Sequence, residues 1–168
     1  MTSFQSTRRL ATRIAIFAIV AWAATDVSAA AQETVAIEVP SGVSFLVTDV
    51  NTSTGGAPNP STIRFSNANL SLGNALRVSV QADAAAFTPP SGSSIPPSKV
   101  SWTTVGSAGG MGWNGTLTSS SYSQVFQSDP ARASGHVDLA WTLAAPGSGI
   151  RAGSHQLTIR WKVESITP

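Results

Sequence analysis

Two stretches decide the fold: Val137-Asp138-Leu139-Ala140-Trp141-Thr142-Leu143 and Leu157-Thr158-Ile159-Arg160-Trp161-Lys162-Val163. In both, large apolar residues occupy every second position. A side-chain period of two places such a set on one face of a strand. Between them Ala145-Pro146-Gly147-Ser148-Gly149 supplies turn residues, so the pair is expected to form an antiparallel hairpin with a long loop.

The same alternation extends back through the chain. Val35, Ile37 and Val39 form one apolar set, and Val43, Phe45 and Val47 a second. Leu76, Val78, Val80 and Ala82 form a third, Val100, Trp102 and Thr104 a shorter one, and Tyr122–Gln127 another. Outside the N-terminus, no window of a dozen residues keeps a 3.6 period free of Gly, Pro or β-branched clusters. Ala82–Phe87 has room for one helical turn. Breaker-rich connections fall at Asn51–Ser61, Thr88–Ser98 and Gly106–Gly115. Seven to nine short strands in one domain predict two packed antiparallel sheets, an all-β, immunoglobulin-like β-sandwich. An open barrel is the alternative.

The N-terminus reads as an export signal. Arg8, Arg9 and Arg13 precede the apolar run Ile14–Ala24, and Val27-Ser28-Ala29-Ala30-Ala31 offers small residues for cleavage. Eleven apolar residues fall short of the roughly 20 a membrane-spanning helix needs. The expected division is therefore a signal peptide over 1–31 and a single domain over 32–168, with no transmembrane segment in the mature chain. Arg8-Arg9 lacks the apolar residues a twin-arginine signal wants next, since Ala11 and Thr12 stand there. The expected location is extracellular, cell-surface or periplasmic.

Cleavage changes the charge balance. The chain has ten Lys/Arg and eight Asp/Glu, but three arginines and Asp26 precede Gln32, which leaves seven of each. Nucleic-acid binding needs clustered cations, and these seven are scattered singly. The chain has no cysteine, which excludes disulfides, thiolate metal sites and a cysteine nucleophile.

No catalytic constellation is legible. His136 and His155 are the only histidines, and no Gly-x-Ser-x-Gly stretch accompanies them. The seven mature carboxylates lack the close spacing of calcium loops, and zinc would want more histidine. Gly106-Ser107-Ala108-Gly109-Gly110-Met111-Gly112 lacks the Gly-Lys-Ser/Thr of a phosphate loop and reads as a flexible connection between strands. No cofactor or metal is implied.

The aromatics carry more. Trp102, Trp141 and Trp161 lie in register with apolar strand positions, which predicts core packing. Trp113 stands among glycines in a loop, where it either stacks on a ligand or folds back as a lid over the core. Trp113 and Tyr122 are the candidate binding residues.

The closing stretch Ala152–Val163, a glycine-led turn into an alternating strand ending Trp161-Lys162-Val163, resembles the final motif of bacterial WxL-type cell-surface domains. Trp141-Thr142-Leu143 supplies the Trp-x-Leu triplet itself one strand earlier, whereas Leu76-Arg77-Val78 stands where the family's first such triplet belongs. The resemblance covers the last third of the chain. It implies a β-sandwich held non-covalently at the bacterial surface, with cell-surface polysaccharide or other surface proteins as partners. The expected function is accordingly a non-catalytic structural or adhesive one. A carbohydrate-binding module using Trp113 and Tyr122 is the rival reading, and a secreted hydrolase the third.

Overall fold

The computed structural model describes residues 32–87 and 93–168. The predicted signal peptide, 1–31, lies outside the described residues, as does part of the Thr88–Ser98 connection. The described residues contain twelve strands and no α-helix. The strands are β1 (Thr34–Glu38), β2 (Phe45–Val47), β3 (Thr54–Gly55), β4 (Ser61–Asn69), β5 (Ala75–Ala82), β6 (Val100–Ala108), β7 (Gly110–Gly112), β8 (Gly115–Thr116), β9 (Ser123–Ser128), β10 (Gly135–Leu143), β11 (Gly153–His155) and β12 (Ile159–Ile166).

All pairings are antiparallel. One sheet runs β1-β4-β10-β6-β8, with β3 beside the end of β10, and a second runs β12-β5-β9-β7. A small pair joins β11 to β2. The all-β, antiparallel expectation therefore holds.

The apolar faces predicted by alternation meet in one core. Val137, Leu139, Trp141 and Leu143 of β10 are buried, as are Leu76, Val78 and Val80 of β5. Aromatic contacts tie the two sheets together. Phe65 of β4 packs on Phe126 of β9 with ring centroids 5.8 Å apart, and Trp141 of β10 meets Trp161 of β12 at 6.5 Å.

Three local expectations are corrected. The hairpin between the last two strands does not form: β10 lies between β4 and β6, whereas β12 pairs with β5 in the other sheet. The residues between them do not close a hairpin. Ala144 donates its amide to the Lys99 carbonyl and Gly147 to that of Val50, each at 2.8 Å, and β11 then pairs with β2. The two apolar faces thus oppose each other across the core.

Ala82–Phe87 forms no helical turn, because its backbone bonds go elsewhere. The amide of Asp83 reaches the Thr158 carbonyl at 2.9 Å and that of Phe87 reaches Ile95 at 2.8 Å. Nor is Gly106–Gly115 a flexible connection. β6 continues to Ala108, and Gly109 (φ 72°) turns the chain into β7, which joins the other sheet. Gly115 lies against Trp102, where a Cβ would fall 2.4 Å from the ring.

β4 is absent from the strands that alternation predicts. Ser61, Ile63 and Phe65 are buried, but beyond Phe65 the strand runs on through the polar pair Ser66-Asn67. There the β1–β4 register shifts and Asn67 takes φ 52°, a bulge that breaks the period of two.

Candidate functional site

The strands of the second sheet carry their polar residues outward. Lys162 of β12 stands opposite Ser79 of β5, and Glu164 opposite Arg77. Across β5, Ser79 faces Gln124 of β9. These side chains and Tyr122, just before β9, line one shallow polar depression.

Its charges are mutually engaged. The Arg77 guanidinium donates to Glu164 at 3.0 Å, and the Lys162 ammonium lies 2.7 Å from the other carboxylate oxygen. Hydrogen bonds from Lys162 and then from Arg77 hold the Glu164 carboxyl below the usual range. The same ammonium sits 5.7 Å from the centroid of the Tyr122 ring, within cation–π range.

Tyr122 is presented by a short ordered loop. Thr118 Oγ1 accepts the Ser121 amide at 3.2 Å, and Gln81 Nε2 donates to the Ser119 carbonyl at 2.8 Å. Tyr122 is 40% exposed. Chemically the face offers one aromatic surface, two cations, one carboxylate and an amide on rigid strands. Such a set suits stacking and hydrogen bonding to a polar ligand rather than bond-breaking.

Trp113 lies between β7 and β8 and is not among the residues lining this depression. Its backbone is tied down: its amide donates to the Val125 carbonyl at 2.9 Å, and its own carbonyl accepts the Trp102 indole N–H at 2.7 Å. Its side chain is half-buried and stands apart from the residues packed on the core. The two predicted binding residues therefore do not share this depression.

Trp141 is 1% exposed, and its indole N–H donates to the buried Ser61 hydroxyl at 2.7 Å. Trp102 packs on it with centroids 5.4 Å apart. Trp161 is half-buried, and its indole nitrogen is buried without a partner among the described residues. Trp141 is therefore a core residue, and Trp161 a core-facing residue at a sheet edge.

The histidines lie apart. His136 Nε2 is 3.8 Å from Asp138, whose other oxygen accepts the Thr62 hydroxyl at 2.6 Å. His155 is fully buried, with Nε2 bonded to the Arg151 carbonyl at 2.9 Å. Among the described residues, no three His, Asp or Glu side chains are grouped to hold a metal ion.

Arg77, Gln124, Lys162 and Glu164 are site residues that sequence reasoning passed over. On their own strands they are the polar half of an alternation. Only the register that sets Glu164 opposite Arg77 makes them one patch.

No protein-family model matches the chain, and neither a curated protein nor a solved structure matches it.

Proposed function

We propose that residues 32–168 form an exported immunoglobulin-like β-sandwich with a non-catalytic structural or adhesive role at the cell surface. It associates non-covalently with envelope polysaccharide or with other surface proteins. The observation that carries this reading is the outer face of β12, β5 and β9, where Tyr122, Lys162, Glu164 and Arg77 form an accessible aromatic and charged patch. Export is supported by Arg8, Arg9 and Arg13, the apolar run after them and the small residues before Gln32. The closing Trp161-Lys162-Val163 strand supports a WxL-like surface role.

The carbohydrate-binding reading draws on the same patch. A sugar ring stacks on an exposed aromatic face, while neighbouring carboxylates, guanidinium groups and amides bond its hydroxyls. Tyr122 has such neighbours, so Tyr122 is the residue on which this reading rests.

Pull-down on insoluble cell wall, chitin and cellulose, repeated with Tyr122→Ala, tests both. Retention by wall alone, lost in the variant, supports the envelope reading. Retention by chitin or cellulose, lost in the variant, supports the carbohydrate module. Retention that Tyr122→Ala leaves unchanged would count against this face.

A further inference from the structure

β12 ends the second sheet, with β5 on one side and, among the described residues, no strand paired on the other. The direction of its free backbone groups follows from two bonds. Thr158 and Asp83 continue the β12–β5 register, and the Asp83 amide bonds the Thr158 carbonyl at 2.9 Å. The next residue back, Ala82, turns its amide away from β12 to the Thr118 carbonyl at 2.8 Å. Hydrogen-bonded pairs alternate along an antiparallel ladder. Arg160, Lys162, Glu164 and Ile166 therefore point their amides and carbonyls at β5. Ile159, Trp161, Val163 and Ser165 point theirs at the open edge.

That edge is long, and it carries none of the prolines or bulges that guard exposed strands. Its inward side chains are also incompletely covered. Ile159, Trp161 and Val163 pack on the core yet remain half-buried.

We propose that the open edge of β12 pairs antiparallel with β12 of a second copy of this chain, about a two-fold axis at Val163. Charge selects both the partner and the register. With Val163 opposite Val163, Lys162 of each copy stands opposite Glu164 of the other, and Arg160 opposite Ile166. Shifting the axis by one residue sets Lys162 against Lys162 or Glu164 against Glu164, and like charges directly opposite are unfavourable. In the Val163 register the residues with outward backbone groups face one another, so the ladder hydrogen bonds form. Trp161 then lies opposite Ser165 and both valines gain cover. Each Glu164, which already accepts Arg77 and Lys162 of its own chain, gains a second lysine. The interface is isologous, as two-fold pairs are, and joins two four-stranded sheets into one. It does not depend on the envelope reading: a protein that binds wall as a monomer would fail this inference and keep that one.

The test uses residues 32–168, which hold every described strand and the whole core. One strand per partner buries little surface, so affinity falls in the weak class and a concentration series is needed. Sedimentation velocity should show the wild type passing from monomer to dimer. Lys162→Glu and Glu164→Lys, each confirmed folded by circular dichroism, should each remain monomeric through like-charge repulsion. Mixing them in equal amounts should restore the dimer, since their edge charges are complementary. Should a charge variant fail to fold, Val163→Cys serves instead, because the chain has no other cysteine. It should form a disulfide dimer under mild oxidation faster than Leu72→Cys, which sits in a turn and is 98% exposed. A wild type that stays monomeric throughout, charge variants that dimerise like it, or faster cross-linking at position 72 would each overturn the proposal.

Discussion

Trp161 meets Trp141 edge-on across the core, with ring centroids 6.5 Å apart and planes at 76°. The two strands that look most alike in the sequence therefore belong to different sheets, and their tryptophans meet in different circumstances. Trp141 has its N–H on Ser61. Trp161 stands at a sheet edge with its N–H unpartnered.

This asymmetry predicts different responses to substitution. Trp141→Ala should cost roughly 3–5 kcal/mol through lost burial and the cavity left behind. Trp141→Phe keeps most of the ring but strands the buried Ser61 hydroxyl, which costs about 1–3 kcal/mol. Trp161→Phe removes an N–H that has no partner, and should destabilise less than Trp141→Phe. Urea unfolding of the three variants checks the order. A larger loss from Trp161→Phe would contradict the packing described.

Gly115 provides a second test. A methyl there would lie 2.4 Å from the Trp102 ring, and that ring is itself fixed by its bond to the Trp113 carbonyl. Gly115→Ala should therefore destabilise by about 1–3 kcal/mol through overpacking. Gly42, where an added Cβ would meet open space, should accept alanine within about 0.5 kcal/mol. Thermal melts of both variants separate a close-packed position from an open one.

Glu33 makes stability depend on acid pH. Hydrogen bonds from Ser165, then from the hydroxyl and amide of Ser71, with Asn74 adding less, lower its carboxyl from the ordinary 4.5 to about 2. A carboxyl whose folded value lies below its unfolded one stabilises the fold above the unfolded value. That contribution is lost as pH falls through the folded one. The midpoint of unfolding should therefore drop between about pH 4.5 and 2. Glu33→Gln should make this fall shallower, with Glu164 keeping part of it, and leave the slope above it unchanged.

Trp113 keeps its structural bonds through backbone atoms alone, so removing its side chain leaves them in place. Trp113→Ala should change stability by less than about 1 kcal/mol. It should also lower the fraction of tryptophan emission that acrylamide quenches, since Trp102 and Trp141 are each 1% exposed and only Trp161 shares partial exposure with it among the described residues. An unchanged quenchable fraction would mean that its indole is covered.

The alternation in Leu76–Ala82, Val137–Leu143 and Ile159–Val163 by itself determined that these are strands and which side of each faces inward. The period of two is a local property of an extended backbone, set by covalent geometry before any partner is chosen. The inward placement of Trp102 and Trp141 was legible for the same reason. β4 was not, because a bulge at Asn67 breaks its period. Which strand pairs with which is a different kind of fact. Ladder hydrogen bonds are chemically alike in every pairing, so no residue of β12 announces β5 rather than β10. Packing the two tryptophan-bearing faces against each other, and spending residues 144–158 on bonds to Lys99, Val50 and β2, decided it. The polar patch shares that origin: Arg77 and Glu164 lie far apart in the chain, and only the β5–β12 register brings guanidinium to carboxylate.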